Sequence, residues 1–318
     1  MPTKDFREKL KKIHQFEIKD DTDIIDLITS LRETGFNAKR LAQACEIYNE
    51  MINNPDCINF FGLAGALVPV GMQKVIHDFI MEGYIDVLVT TGANITHDLA
   101  EALGYSHLQG VFESKEIDDI YLHKEQINRI YDVFMPNKVY EGIEEFVSKL
   151  VIPDNQMSVS SFLRFLGNQL PEDSNSILRI CADKQIPIFC PAFTDSGLAL
   201  QLGFHHQKLN LNHFTDMLEM VNLAWDAKIA GICIVGGGVP KNFIMQSLQF
   251  SPNSATYAIQ ITMDRPEQGG LSGATLREAI SWGKINEIAK YSTIISDATI
   301  ALPIILWYLK KTNSKKKT

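Results

Sequence analysis

The run Gly269-Gly-Leu-Ser-Gly-Ala-Thr-Leu-Arg-Glu-Ala-Ile-Ser-Trp-Gly-Lys284 sets one lysine behind a glycine-rich turn, an acid and a tryptophan. These residue types suit amine chemistry. A lysine becomes a nucleophile when it is held partly desolvated, so that a fraction of it is neutral. An indole and a carboxylate nearby can then orient a cationic polyamine by cation–π and charge contacts. Lys284 is the candidate nucleophile, with Glu278 and Trp282 as candidate substrate contacts. Taken in isolation the same pattern also reads as a tryptophan anchoring a core and a lysine ending a helix in solvent.

The elements that must hold this run read as an α/β fold. Up to about residue 55, Asp23–Leu31 and Ala38–Tyr48 place apolar residues at spacings of three and four, which predicts an N-terminal helical layer. From residue 56 to 312, short β-rich apolar runs alternate with helical stretches, the pattern of a mostly parallel, Rossmann-like sheet with helices on both faces. Strands are predicted at Ile58–Leu63, Ile85–Thr91, Ile186–Pro191, Gly231–Val235, Tyr257–Thr262 and Ser292–Ser296. Predicted helices include Gly71–Glu82, Thr96–Leu103, Lys241–Phe250, Leu276–Gly283 and Ala298–Lys310. Residues 111–170 read as an excursion between the halves of the sheet, and residues 313–318 as a basic, solvated tail.

In such sheets ligands bind at the carboxyl ends of the strands, so the glycine-bearing strand ends matter. Three qualify: Gly62–Gly71, Thr90–Asp98 and Gly236–Asn242. None is GxGxxG or GxxxxGK[ST], so on pattern alone each is equally a tight turn or a dinucleotide contact.

The chain has 318 residues, 45% hydrophobic and 21% charged, with a formal charge of −8. The acidic balance argues against nucleic acid as a main partner, which calls for clustered Lys and Arg, and favours a cationic substrate or a basic protein surface. Cys45, Cys57, Cys181, Cys190 and Cys233 form no CxxC pair and read as reduced core residues. The N-terminus is charged and lacks the apolar core of a signal peptide, and no apolar run reaches the ~20 residues that span a bilayer, so a cytoplasmic protein away from membranes is expected. No histidine pair has metal-ligand spacing of the HExxH kind, and no metal is expected.

From about residue 25 to 305 the chain resembles the deoxyhypusine synthase family, on separated segments that recur in the same order. The Gly269–Lys284 run is similar to its active-site lysine segment. Asp86-Val-Leu-Val-Thr-Thr91 resembles the strand and turn that hold NAD, and Pro191-Ala-Phe-Thr-Asp195 its Pro-Ala-Leu-Thr-Asp. The resemblance implies an NAD-dependent transfer of the 4-aminobutyl group of spermidine through an imine on Lys284. It implies cofactor contacts at Thr90, Thr91, Gly92, Gly236, Gly237, Gly238, Thr262, Asp297 and Ala298, and substrate contacts at Asp195, Glu278, Trp282, Asn242 and Gln246. It also implies a homotetramer with sites at dimer interfaces.

The chain departs from the eukaryotic pattern inside the site. Asn242 stands where that pattern has a histidine, Gln246 where it has an asparagine, Leu271 where it has a carboxylate, and His97 where it has a glutamate. These features resemble the deoxyhypusine synthase-like branch of bacteria and some archaea. Two acceptors stay open: the lysine of translation initiation factor 5A, favoured by the family, and a small amine such as putrescine, giving homospermidine. A non-catalytic nucleotide-binding scaffold is the third reading, against which the joint presence of Lys284, Trp282, Glu278 and Asp195 speaks. Four polar residues have local alternatives: Asp195 and Asn242 as helix caps, and His205-His206 as a surface or packing pair.

Overall fold

The computed structural model describes residues 10–110 and 118–314. The start of the N-terminal segment (1–9), part of the 111–170 stretch (111–117) and the end of the basic tail (315–318) lie outside the described residues.

The described strands are β1 (Cys57–Leu63), β2 (Val87–Thr90), β3 (Leu108–Gln109), β4 (Ile127–Ile130), β5 (Val133–Pro136), β6 (Gln156–Ser158), β7 (Ile188–Phe189), β8 (Asn210–Asn212), β9 (Ile229–Val235), β10 (Ala255–Thr262) and β11 (Ile285–Ile295). Six of them form one sheet in the order β11-β10-β9-β1-β2-β7, with every neighbouring pair parallel. In chain order these are its sixth, fifth, fourth, first, second and third strands, the arrangement of dinucleotide-binding sheets. The strand order reverses between β1 and β9, where a crevice must open at the carboxyl ends.

Both faces of this sheet are covered, which is why its strands read as unbroken apolar runs. Side-chain alternation sorts them: Phe61, Leu63, Cys233 and Val235 join one buried cluster, and Phe60, Ile232 and Ile234 join the other. The first cluster packs against helices Ile24–Arg32, Phe36–Asn53, Gln73–Met81 and Ala298–Asn313, the second against His213–Asp226 and Gly238–Gln249. The first helix begins at a capping box. Asp23 Oδ1 accepts from the Ile25 and Asp26 N–H groups at 2.8 and 3.0 Å, and Asp26 Oδ2 accepts from the Asp23 N–H at 3.3 Å. The N-terminal layer is tied to β11 as well, through Asn37 to the Ile295 backbone and Ser292 Oγ to Arg40 O.

Residues 118–170 lie between β2 and β7, two neighbouring strands of one half of the sheet, so the excursion expected between the two halves falls within one of them. It contributes β4 and β5 to a small antiparallel sheet with β3, and helices Lys138–Ser148 and Val159–Asn168. All five cysteines are free and buried, and burial pushes the Cys57 and Cys190 thiols up to about 12. No helix of the described residues is long and apolar enough to cross a membrane.

Candidate active site

Residues 263–284 leave the carboxyl end of β10 and return to the amino end of β11. Periodicity predicts a helix over Leu276–Gly283, but the segment forms only two 3₁₀ turns, Pro266–Gln268 and Glu278–Ile280. Gly283, at φ 67°, closes these turns in the left-handed conformation usual after a helix end. The Lys284 N–H donates to Ala279 O at 3.1 Å, and its carbonyl accepts from the Ala255 N–H at 3.1 Å. The backbone of the candidate nucleophile therefore stands at the amino ends of β10 and β11. This corrects the expectation that the ligand site gathers at carboxyl ends alone.

A cavity of about 310 Å³ opens between this segment and the Gly238–Gln249 helix. It brings together five of the sequence-predicted residues, Lys284, Trp282, Glu278, Asn242 and Gln246, and Leu271 as well. Lys284 is half-buried, with Nζ 5.2 Å from the centre of the Trp282 ring. Among the described residues, Glu278 is the only carboxylate on the cavity wall. The wall carries one acid, one indole, the three neutral amides Asn242, Gln246 and Gln249, and the two lysines Lys241 and Lys284; Glu278 and Trp282 are its contacts for a cationic amine, and the amides can read N–H groups by hydrogen bonds. Asn242 lies inside its helix, which starts at Gly238, so it is not a cap.

Asp195 is not brought into this cavity. It is exposed in the turn after β7, where its N–H donates to Ala192 O, and the following helix is capped by Ser196 instead, whose side chain accepts from the Ala199 N–H. His205 and His206 contact Glu144 and the Val147 carbonyl at 3.1 and 2.8 Å, away from the cavity.

The most telling residue that sequence reasoning passed over is Lys241. It is 4% exposed, and its ammonium donates to Gln260 Oε1, Leu271 O and Ala274 O at 3.0, 2.9 and 2.6 Å. Burial lowers it to about 8, with Lys284 pushing the same way and Glu278 opposing. Its partner Gln260, fully buried in an apolar strand, was the available signal.

The cofactor candidates line the strand ends in three places. Gly236–Gly238 follow β9 and face the Ala64-Gly65 turn after β1, since a Cβ on Gly236 would meet Ala64 Cβ at 3.1 Å. Gly65, Gly236 and Gly238 have φ of 70°, 74° and 54°, and Cβ atoms on Gly65 and Gly238 would point into open space. Thr90 and Thr91 brace this crevice by donating to Leu63 O and Gly65 O at 3.1 and 2.7 Å. Gly92 packs against Ser196, where a Cβ would come within 2.4 Å of Ser196 Cβ. Thr262 lines a second cavity of about 380 Å³, and Asp297, which caps the helix starting at Ala298, lines a third of about 480 Å³. Thr262 and Asp297 thus line two different cavities.

Gly237 has a different constraint. Its φ is 178°, which any residue adopts, but a Cβ there would fall 2.2 Å from Ser272 Cα. Backbone cannot rotate aside, so Gly237→Ala is expected to displace the Leu271–Ala274 turn. The expected result is a loss of about 1–3 kcal/mol in stability and about 100-fold in transfer rate, measured by chemical denaturation and steady-state kinetics.

His97, one turn into the Gly92–Ala102 helix, is 7% exposed and its Nδ1 lies 2.8 Å from His107 Nε2. His107 Nδ1 lies 2.6 Å from Glu101 Oε1, and because a carboxylate only accepts, that nitrogen carries the proton. Burial is the main cause that lowers His97 to about 4, helped by His107. The folded protein then binds fewer protons than the unfolded chain between pH 6.5 and 4. Stability is therefore expected to fall by up to about 3 kcal/mol on acidification through that window. Denaturant unfolding at pH 7 and 4.5 checks this: His97→Gln should flatten the slope, and an unchanged slope would assign it to other groups.

A family model described as deoxyhypusine synthase matches residues 26–309. The chain is 45% identical over 295 residues to a protein of Methanosarcina acetivorans named probable deoxyhypusine synthase 1, covering 92% of each. It is 42% identical over 294 residues to a protein of the same name from Archaeoglobus fulgidus, covering 92% of this chain and 96% of that one. Among solved structures, a deoxyhypusine synthase from Entamoeba histolytica matches with a TM-score of 0.61 at 17% identity, over 93% of this chain and 96% of that one, a likeness of fold. With a dinucleotide-type sheet, a lysine–indole–carboxylate cavity and full-length relatives of one kind, this chain belongs to the deoxyhypusine synthase family.

Proposed function

We propose that this enzyme moves the 4-aminobutyl group of spermidine to a lysine of translation initiation factor 5A, with Lys284 as the nucleophile and NAD as cofactor. The observation that carries the reading is the cavity shared by Lys284, Trp282, Glu278, Asn242 and Gln246 in a chain of this family. Glu278 and Trp282 hold the substrate's ammonium groups, and the amides of Asn242 and Gln246 orient its N–H groups. Lys284 Nζ forms the new C–N bond to the four-carbon fragment as the bond to 1,3-diaminopropane breaks, and the acceptor lysine then takes the fragment from Lys284.

The β1/β9 crevice fits a dinucleotide: its glycine turns at Gly65, Gly236 and Gly238 leave backbone open to a pyrophosphate, and Thr90 and Thr91 stiffen it from below. NAD held there by the Gly65, Gly236 and Gly238 turns would supply the hydride acceptor and donor that the transfer requires. Thr262, Asp297 and Ala298 extend the contact surface along the strand ends. In the homotetramer that the family resemblance implies, a neighbouring subunit completes the site and contributes its Asp195 region. A cytoplasmic location accords with this chemistry.

Incubation with NAD, radiolabelled spermidine and either factor 5A from the same organism or putrescine tests the reading. Label on the factor supports it, label in homospermidine replaces the acceptor, and no label with either refutes the transferase assignment for these substrates.

A further inference from the structure

Residues 263–284 have no helix or strand to set their course, so tertiary contacts must do it. Leu276 is fully buried and gives an apolar anchor without direction. Direction comes from hydrogen bonds to buried polar groups, and these meet at one amine. Lys241 Nζ spends all three donors: two on the carbonyls of Leu271 and Ala274, and one on Gln260 Oε1. Gln260 Nε2 in turn donates to Gly236 O and Ser272 O, both at 2.9 Å. Ser272 Oγ also bonds Asp264 at the start of the segment. The result is a buried clamp between the Gly236–Gly238 turn and the Leu271–Ala274 turn, immediately ahead of Glu278, Trp282 and Lys284.

We infer that Lys241 is a positioning residue for the transfer reaction: its ammonium fixes the turn that aims Lys284 into the cavity, and it takes no part in bonding to the substrate. This rests on the reading of Lys284 as nucleophile. A buried ammonium with every proton committed to protein acceptors has none left for a ligand. It is held against the cost of its burial, which lowers it to about 8, and the charged groups that bear on it are Glu278 and Lys284.

The test compares Lys241→Met, Lys284→Ala and the native enzyme in three readouts: NAD affinity by calorimetry, the pH–rate profile, and the yield of borohydride-trapped adduct on Lys284. Lys241→Met is expected to bind NAD as the native enzyme does. It should lose about 100-fold in kcat and in adduct yield, as for an ångström-scale misplacement of a reacting group. It should also lose any inflection near pH 8 that the native profile carries. If Lys241→Met does not fold, Lys241→Arg is read against the same expectation, because its planar fork keeps the charge but cannot aim three donors from one atom. Native kcat and adduct yield in the folded variant overturn the inference, as does parallel loss of NAD binding and catalysis. An adduct that persists in Lys284→Ala overturns instead the assignment of the nucleophile.

Discussion

Lys284→Ala is expected to lower aminobutyl transfer at least about a thousandfold, the scale of removing a covalent nucleophile, while NAD affinity and melting temperature stay native. The asymmetry follows from the contacts. Lys284 is half-buried, its Nζ faces the Trp282 ring at 5.2 Å, and among the described residues it makes no ion pair whose loss would destabilise the fold. Lys284→Arg should be as inactive as the alanine variant, since a guanidinium stays charged and offers no free electron pair. Trp282 and Glu278 would still recruit the substrate, so binding of spermidine by the variants should persist with little turnover. Calorimetry and a label-transfer assay on the same preparations check both halves. A variant that retained a tenth of the native rate would move the chemistry to another residue.

Asp98→Ala is expected to cost about 3–5 kcal/mol of folding stability, the largest structural effect of a single change foreseen here. Asp98 is 1% exposed and accepts four hydrogen bonds: from Gln73 Nε2 at 2.7 Å, Ser176 Oγ at 2.7 Å, Ile177 N–H at 2.8 Å and Leu178 N–H at 2.9 Å. The carboxylate thus caps the Ile177–Asp183 helix from another helix, and favours it through the positive end of the helix dipole. Alanine would leave three buried donors and the half-buried Gln73 amide without an acceptor. Asparagine keeps one oxygen but turns an N–H₂ group toward donors, so Asp98→Asn should rescue little. Burial nevertheless raises the Asp98 carboxyl against these bonds, so the folded state holds its proton to higher pH than the unfolded chain. Its contribution to stability therefore declines as pH rises through that window. Urea unfolding of Asp98→Ala checks the claim, with Asp119→Ala, which breaks an exposed pair to Arg129, as a control expected to change nothing measurable. A small effect at Asp98 would mean that water replaces the carboxylate there.

What the sequence made legible and what it hid divide along physical lines. The buried strands β1, β2, β9 and β10 were visible because a parallel sheet covered on both faces leaves long apolar runs with turn residues at each end. The terminal helix was visible through its periodicity, although its end runs on to Asn313. β11 was seen only in its last third. Its early residues, Asn286–Ala289, bulge from the register between the Ala255 and Tyr257 pairings, and a mostly exposed bulge of mixed polar and apolar residues has neither period. The false helix at Leu276–Gly283 arose because local propensity ignores what the clamp at Lys241 imposes on the turn just before it.

At the site, the family resemblance found the residues that meet in one cavity. It could not say that Lys284 enters from the amino ends of the strands, because that depends on the path of an irregular segment. Lys241 and Gln260 were legible only as oddities, a lysine one turn into a helix and a glutamine inside an apolar strand. Their bond joins residues 19 positions apart, and no periodicity reports it. The His97–His107–Glu101 chain was hidden for the same reason.

The most direct test of the central claim is to trap the reaction with borohydride in the presence of NAD and spermidine, without an acceptor, and to map the modified peptide by mass spectrometry. An aminobutyl group is expected on Lys284, and none in Lys284→Ala. Modification of another lysine, Lys241 above all, or transfer that proceeds with no trapped adduct, would contradict the claim.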